Sequence, residues 1–316
     1  MAGFLLRRLI NLLPVLLAVT LLTFLIASLL PGDLAYTVLG DQATPENIAA
    51  LRHKMGLDQP IGWRYLLWLG HAVEGDLGRS FRTGQTVLAA VAERLPVSLE
   101  LMVLAEAIGL GIGIPVAIFC AVRAGGAFDR LMTGAAFSML SVPSFLSAIL
   151  LIYLFAVRLH WLPATGYVPF LEDPVDNLRS FLLPAATLAF GEWPVLMRVL
   201  RSDMIATLQE DYIAMARAKG LRPARILLVH ALKPSSLTLV TVTGINIGRL
   251  IGGAVIVESI FALPGLGRLL INAIYTRDLI ILQGVVLLVA TGFVLINFLV
   301  DLIYAALDPR IRHGRA

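Results

Sequence analysis

The chain contains little charge and almost no cysteine. Of its 316 residues only 15% are Asp, Glu, Lys or Arg, whereas 58% are hydrophobic. A soluble domain has no core large enough for that much apolar surface, so the composition is typical of a membrane protein with several spans. The single cysteine, Cys120, lies within an apolar run, which excludes a disulfide framework and a cysteine-based metal site.

Patterns of catalysis and nucleotide binding are also missing. The five histidines show no metal-ligand spacing, and no set of Ser, His and Asp includes a nucleophile elbow. No glycine is directly followed by lysine, so the chain cannot hold a phosphate-binding loop that ends in Gly-Lys-Ser or Gly-Lys-Thr. We therefore expect a chain that is not an enzyme and that has no catalytic residue, metal or cofactor of its own.

The chain has six long apolar runs, each close to the roughly 20 residues that a helix needs to cross the hydrocarbon of a bilayer. They lie at about 9–30, 97–122, 131–157, 181–200, 236–261 and 279–306. The run at 181–200 is interrupted by two prolines and a glutamate, but omitting it would put the two termini on opposite sides of the membrane. The sequence thus predicts an all-α integral membrane protein, with six transmembrane helices in one domain over 1–316.

The distribution of charge predicts the orientation of these spans. With six spans, most basic residues of the short loops fall on the side of the termini: Arg7, Arg8, Arg123, Arg130, Arg198, Arg201, Arg217, Lys219, Arg222, Arg225, Lys233, Arg310, Arg312 and Arg315. The positive-inside rule places both termini and the loop 201–235 in the cytoplasm, and the large segment 31–96 outside. Because these bases lie at span ends, the net charge of +4 does not indicate nucleic-acid binding.

The loop 201–235 carries the signals of a short helix. Acids stand at its start, from Glu210, and bases at its end, up to Lys219, while Gly220 offers a left-handed C-cap and Pro223 can begin a second helix. Three alanines leave a surface of low relief, and one side presents Tyr212, Met215, Ala216 and Lys219 at helical spacing. A partner protein could hold such a helix in a groove, and a solvated loop is the alternative.

Polar residues inside the fourth and fifth runs suggest a path for a solute. The glycines of the fifth run recur every four residues, which allows close helix packing, at Gly244, Gly248 and Gly252. At helical spacing Asn246 and Arg249 point away from this stripe, and Glu192 of the fourth run has a similar depth. We hypothesise that Glu192, Asn246 and Arg249 lie near a translocation path, with a purely structural ion pair as the alternative.

Other residues predict local geometry. Glu258 and Asp301 lie near span ends, where capping or snorkelling to the interface is the favoured interpretation. Prolines mark places where spans can bend, at Pro143 in the third run and at Pro184 and Pro194 in the fourth.

The stretch from Glu210 to Lys233 resembles the coupling loop of permease subunits of bacterial ATP-binding-cassette (ABC) importers. The generic pattern of that loop is Glu-Ala-Ala, three residues, Gly, and apolar positions further on. The matching residues here are Ala214-Met215-Ala216, then Gly220, then His230 to Leu232. Ala214 stands where the generic pattern has glutamate.

Further islands narrow the resemblance to the first-permease (B-type) subunits of the dipeptide, oligopeptide and nickel permease family. They cover nearly the whole chain from about residue 31: Leu57-Asp58-Gln59-Pro60, Gly75-Asp76-Leu77-Gly78, Glu210-Asp211-Tyr212, Ala216-Arg217-Ala218-Lys219-Gly220-Leu221, His230-Ala231-Leu232, Glu258 with Ile260-Phe261, Pro264-Gly265-Leu266-Gly267-Arg268, Arg277-Asp278, Asn297, Val300-Asp301 and Asp308-Pro309-Arg310. Two departures, Lys233-Pro234-Ser235 and the absence of a proline after Arg277-Asp278, fall outside the predicted coupling helix.

The resemblance implies the type I ABC importer permease fold in the bacterial inner membrane. It implies a homologous second permease subunit, two ATPase subunits that bind ATP and Mg²⁺, and an external solute-binding protein. The residues that it assigns to ATPase coupling are Glu210, Asp211, Tyr212, Ala214, Ala216, Arg217, Lys219, Gly220 and Leu221. This permease would form half of the translocation pathway and couple it to ATP hydrolysis on separate subunits.

Two other functions are compatible with the residues alone. A stand-alone secondary transporter driven by an ion gradient would use Glu192 and Arg249 as its intramembrane site. A membrane scaffold would need neither residue. Within the importer interpretation the substrate stays open, since dipeptides, longer peptides, glutathione-like compounds and nickel complexes all fit the family.

Overall fold

A computed structural model describes residues 2–29, 36, 39, 43–54 and 56–307 of the chain. The described residues form helices and loops, together with one isolated antiparallel bridge between Arg79 and Thr86. In chain order the helices are α1 (Ala2–Leu29), α2 (Pro45–Lys54), α3 (Ile61–Val73), α4 (Val87–Val122), α5 (Ala127–Leu140), α6 (Ser144–Leu151), α7 (Pro174–Leu208), α8 (Asp211–Ala218), α9 (Pro223–Arg225), α10 (Leu232–Ile260), α11 (Leu266–Tyr275) and α12 (Leu279–Leu307). Two π-helical segments, π1 (Ile152–Arg158) and π2 (Ile226–Ala231), continue α6 and α9. The basic residues and the Asp-Pro-Arg island predicted within 308–316 lie outside the described residues.

Long apolar helices coincide with most of the predicted spans. Four described helical stretches are long and apolar enough to cross a membrane: Val87–Val122, Pro174–Leu208, Pro223–Leu250 and Leu279–Val300. The first predicted run coincides with α1, within which the described apolar stretch is Leu13–Ile26. The all-α fold class is therefore confirmed.

The third predicted span, over 131–157, is not one straight helix, and it breaks at Pro143, where the sequence predicts a place for bending. The chain bends by 106° between α5 and the helix formed by α6 with π1. Pro143 stands at the bend with an extended backbone, at φ −61° and ψ 145°. Proline has no N–H for a helical hydrogen bond, and it disfavours the helical conformation of the residue before it, so the first helix ends ahead of it.

The fourth predicted span, by contrast, is an unbroken helix. Pro184 and Pro194 both lie inside α7 and are buried there. Neighbouring helices that pack around a membrane helix can satisfy the backbone groups that a proline leaves free. At the start of α7 the Asp173 side chain accepts hydrogen bonds from the N–H groups of Val175 and Asp176, at 2.9 and 3.0 Å, which caps the helix.

The described residues divide into two compact units, Met1–Pro96 with Arg268–Leu295, and Val97–Gly267 with Ile296–Ala316. In the second unit α7 is the central helix and packs against α5, α6 and α10. Two large hydrophobic clusters of this unit contain Phe181 and Leu196, respectively. A bidentate ion pair between Arg201 of α7 and the buried Asp129 of α5, at 2.5 and 2.7 Å, joins these two helices.

In the first unit α3 lies against α1 through aromatic side chains. The ring of Phe24 meets Tyr65 edge-on, with 5.5 Å between centroids, and Trp68 at 5.9 Å. The hydroxyl groups of Thr20 and Tyr65 are hydrogen-bonded at 2.9 Å. These contacts pack Tyr65 and Trp68 of α3 against α1.

Candidate functional site

The predicted loop helix is present as α8, and its C-terminus has a defined cap. Gly220 has φ +74°, the left-handed conformation that glycine adopts without a steric penalty. The N–H of Gly220 donates to the carbonyl of Arg217 at 2.9 Å, and the N–H of Leu221 donates to that of Ala216 at 3.2 Å. These two bonds form a Schellman motif, which satisfies carbonyls that the helix end would otherwise leave free. Both the helix and its glycine cap are confirmed.

One side of α8 is fixed to the rest of the chain. Ile213 is fully buried and Ala216 is 8% exposed. Both pack against Ile226 of π2, with Leu208 and Leu221 at the edge of the cluster. The prediction that Ala216 belongs to the outward, partner-facing side was therefore wrong, because this alanine takes part in the small apolar seat beneath the helix.

The opposite side of α8 is open. Tyr212 is 44% exposed and Met215 is 57% exposed. The remaining outward residues predicted for coupling are Glu210, Asp211, Ala214, Arg217 and Lys219, and all are exposed. Leu221 is half-buried at the edge of the seat. The predicted site residues thus divide into an outward set and an inward set on one helix.

Tyr212 links the open side of α8 to π2. Its hydroxyl donates a hydrogen bond to the carbonyl of His230 at 3.3 Å. Partial burial raises the pKa of the Tyr212 hydroxyl, and the charge of Glu210 raises it further. The phenol is therefore neutral at physiological pH and remains a hydrogen-bond donor.

The second group of predicted site residues lies on α7 and α10 of the second unit. Asn246 is 2% exposed, Glu192 is half-buried and Arg249 is exposed. The charge of Arg249 acts on the carboxylate of Glu192. Among the described residues, however, no ion pair within hydrogen-bonding distance joins them, so the structure brings the two charges near each other without a direct bond.

At Gly244 the glycine stripe of α10 serves close helix packing. A side chain at Gly244 would collide with Val300 of α12, so this glycine allows the two helices to approach closely. Gly248 is buried. The surroundings of Gly252 lie outside the described residues.

Glu106 of α4 belongs to the same buried region, and the sequence interpretation missed it. It is 6% exposed, and its charge interacts with that of Glu192. Both of its carboxylate oxygens are buried without a hydrogen-bond partner among the described residues. The available signal was an ionisable residue in the interior of an apolar run, which in a membrane helix favours a functional role.

Glu258 is held in the interior, so the prediction that it snorkels to the interface was wrong. Its side chain is fully buried. The Ser98 hydroxyl donates to Glu258 Oε1 at 2.6 Å, and the N–H of Leu266 donates to the Ser98 hydroxyl at 2.8 Å. A side chain at Gly265 would collide with the Glu258 carboxylate, and one at Gly267 would collide with the backbone of Val255 and touch the same carboxylate. The Pro-Gly-Leu-Gly segment therefore closes over this carboxylate. The side chain of Asp301 lies outside the described residues.

Comparison with known protein families shows to which family the chain belongs. Residues 113–313 match the family described as "Binding-protein-dependent transport system inner membrane component". Residues 1–102 match the family of the corresponding N-terminal component. The first match covers more than half of the chain. The chain belongs to this family.

Full-length relatives of this permease are found in other bacteria. A putative peptide transport system permease protein of Brucella abortus (strain 2308) is 45% identical over 313 residues, covering 99% of this chain and 100% of the relative. The dipeptide transport system permease protein DppB of Escherichia coli (strain K12) is 39% identical over 339 residues, covering 100% of both chains. The predicted resemblance is therefore confirmed along the whole chain.

The solved structure of the methionine ABC transporter MetNI, in an inward-facing conformation, contains a chain with a similar fold. The TM-score is 0.58 at 19% identity, over 69% of this permease and 95% of that chain. At this identity the likeness concerns the fold alone, which is that of an ABC importer permease. This permease is thus a multi-pass inner-membrane subunit of a transport system, and its family works in general with ATPase and binding-protein partners. A stand-alone secondary transporter is not favoured.

Two family islands that are distant in the chain meet in the first unit. The Ser80 hydroxyl, just after the Gly75–Gly78 island, donates a hydrogen bond to the carboxylate of Asp278. Arg82 Nη1 donates to the carbonyl of Thr276 at 2.9 Å. These bonds give the islands around 75–78 and 277–278 a shared structural role, which their spacing in the sequence could not show.

Proposed function

We propose that this permease imports peptides, as the names of its relatives suggest, and that it forms half of a translocation pathway with a homologous second permease. Two ATPase subunits would supply the energy, with ATP and Mg²⁺ bound to them, and an external solute-binding protein would deliver the peptide. In this proposal the chain is one domain with six spans. Its termini and the loop 201–235 lie in the cytoplasm, and the segment 31–96 lies outside.

The observation that carries this proposal is the two-sided construction of α8. Its outward side presents Tyr212, Met215 and Lys219, which offer a ring, a flexible thioether and a cation at helical spacing. A helix of this size fits the helix-in-groove mode of recognition. We therefore assign the outward side of α8 to contact with an ATPase subunit, with Arg217 and Lys219 making polar contacts.

The inward side of α8 provides a mechanical connection. Ile213 and Ala216 pack on Ile226 of π2, and Leu208, at the end of α7, packs against the same cluster. Because packed cores resist continuous deformation, a displacement of α8 moves its neighbours with it. Closure of the ATPase subunits would thus be transmitted to α7 directly and to α10 through π2.

The glycine cap supplies a test of this coupling. The Gly220→Val variant forces a β-branched side chain into the left-handed conformation, at a cost of about 1–2 kcal/mol, although no other atoms would obstruct it. We expect the end of α8 to distort, so that peptide uptake per ATP hydrolysed falls in proteoliposomes that contain the complete transporter.

Gly84→Val is the matched control. Gly84 also has a positive φ, of +70°, with open space around it, and it lies in the first unit. Its replacement carries the same backbone strain but should leave the ratio of uptake to hydrolysis unchanged. An unchanged ratio in Gly220→Val would refute the coupling role of the cap.

A further inference from the structure

The polar residues inside the bundle have more hydrogen-bonding capacity than they use. Resting on the proposed function, we propose that Glu106 and Glu192 form a subsite for a primary ammonium group of the transported solute, such as the amino terminus of a peptide. Asn246 and Thr243 of α10 complete the subsite. We call these four residues the intramembrane cluster.

Close packing of α4 on α7 brings the two carboxylates together. A methyl group added at Gly109 would lie 3.6 Å from Cβ of Glu192, and one added at Gly113 would lie 3.3 Å from the carbonyl oxygen of Trp193. These glycines let the two helices approach closely. Glu106 stands one helical turn before Gly109 on the same helix, which accounts for the interaction between its charge and that of Glu192.

Four residues in this region carry buried polar atoms without a partner among the described residues. They are both Oε atoms of Glu106, Oε2 of Glu192, Nδ2 of Asn246 and Oγ1 of Thr243. Glu106 is 6% exposed and Asn246 is 2% exposed. Buried polar side chains in proteins nearly always have a partner, so unpaired groups in one region call for an explanation.

The order of residues along α10 directs Asn246 towards the two carboxylates. The Thr243 hydroxyl lies close enough to Glu106 for a weak hydrogen-bonding interaction with its carboxylate, outside normal hydrogen-bond geometry. Arg249 acts on Glu192. Asn246 lies three residues after Thr243 and three before Arg249, so it shares their side of the helix. The unpaired Nδ2 of Asn246 is a donor, so it would bind an acceptor of the solute such as a peptide carbonyl, not the ammonium group itself. It is a second observation, independent of the two acids, that points to a bound molecule.

The chemistry of the intramembrane cluster matches an ammonium ion. An ammonium group has three donors and no acceptor, whereas ionised carboxylates only accept. When both carboxylates are ionised, they and the nearby Arg249 leave one negative charge, which a single ammonium neutralises. Burial without a cation is costly for a carboxylate pair in a membrane, so a cationic solute gains binding energy by occupying the subsite.

A metal ion explains the intramembrane cluster less well. Among the described residues, no group of three or more His, Cys, Asp or Glu side chains could hold a metal ion. The cluster offers only two carboxylates, and the positive charge of Arg249 acts on one of them. Divalent cations in proteins usually have more oxygen ligands of this kind.

Two small peptides that differ only in the ammonium group test the proposal. The permease is assembled with its second permease and ATPase subunits in lipid nanodiscs, without the binding protein. Binding of Ala-Ala and of N-acetyl-Ala-Ala is titrated by saturation-transfer NMR. We expect the wild-type complex to bind Ala-Ala at least about tenfold more tightly than the acetylated form, which corresponds to about 1.4 kcal/mol.

Isosteric variants then assign this preference to the carboxylates. Glu106→Gln and Glu192→Gln should each reduce the preference to about twofold or less, whereas Glu106→Asp, which keeps the charge, should retain most of it. Glu100→Gln is the control, since Glu100 lies on the same helix but is partly exposed. The preference should stay at the wild-type value in this control. Basal ATP hydrolysis reports whether each variant assembles.

Three results would overturn the subsite. These are equal binding of the two peptides to the wild type, no binding of Ala-Ala at all, and a full preference in the two Gln variants, which would mean a purely structural role. ATP-driven uptake of Ala-Ala, measured in proteoliposomes with the binding protein, separates this failure from a failure of the proposed function. Uptake without the binding preference contradicts the subsite alone, and the absence of peptide uptake contradicts the proposed function.

Discussion

At the scale of single residues, Glu258 shows how a buried carboxylate can organise a loop. Its hydrogen bond from Ser98 and the bond from Leu266 to Ser98 join α4, α10 and the start of α11. A buried charged group without such donors would carry a large desolvation penalty. Gly265 is needed because a side chain there would collide with the glutamate, and Gly267 because a side chain there would collide with the backbone of Val255.

We predict that Gly265→Ala destabilises the permease. The added methyl group collides with the Glu258 carboxylate, and overpacking of a filled site typically costs about 1–3 kcal/mol. Thermal unfolding of the purified protein in detergent should therefore occur at a lower temperature than for the wild type.

Gly134→Ala serves as the control for that comparison. Gly134 lies inside α5, and a methyl group there would meet nothing within 4 Å. Because alanine favours a helix over glycine by about 0.5–1 kcal/mol, its unfolding temperature should be equal or slightly higher. A Gly265→Ala protein as stable as the Gly134→Ala protein would contradict the role of this glycine.

At the scale of elements, α8 combines two requirements on one short helix. An eight-residue helix is not stable alone in water. The Schellman cap and the apolar seat of Ile213 and Ala216 on Ile226 provide the missing stability. The outward side chains are thereby free to vary with the surface of a partner.

Substitutions on the two sides of α8 should have separable effects. Ile213→Ala leaves a cavity in the seat, and truncations of this kind in a core cost about 2–5 kcal/mol. We expect faster hydrogen exchange of the amides at 211–221. Met215→Ala, on the outward side, should leave hydrogen exchange unchanged but weaken association with the ATPase subunits, as measured by co-purification. If Met215→Ala changed exchange as much as Ile213→Ala, the two sides would not be distinct.

Three prolines show that the sequence indicates where a helix can bend but not whether it does. Pro143 ends α5 and the chain turns by 106°, whereas Pro184 and Pro194 lie within the unbroken α7. A proline removes one hydrogen bond in either case. Whether the helix continues depends on how its neighbours pack, and α7 is surrounded by other helices of its unit.

At the scale of the whole molecule, this permease belongs to a family of membrane subunits of transport systems. In the proposed function the energy of ATP hydrolysis reaches it through a surface. The open side of α8 is such a surface in the proposed function. The intramembrane cluster would then lie on the path that this energy opens and closes.

We predict that the chain alone does not transport peptides. In proteoliposomes that contain only this permease, uptake of labelled dipeptide should equal that of empty liposomes, with or without an ion gradient. Addition of the second permease, the ATPase subunits, the binding protein and ATP should restore uptake, since each supplies a part that this chain lacks. Uptake driven by an ion gradient in the chain alone would support the secondary transporter instead.

The sequence by itself determined the helical class, the positions of most long helices, the loop helix with its glycine cap, and the family. These features depend on local signals, such as apolar run length, capping residues and short ordered motifs, that persist whatever the chain packs against. Only the tertiary structure decided that Ala216 faces inward, that Glu258 is enclosed, and that Glu106 lies beside Glu192. Those facts depend on which helices approach each other, because close packing brings together residues that are far apart in the chain.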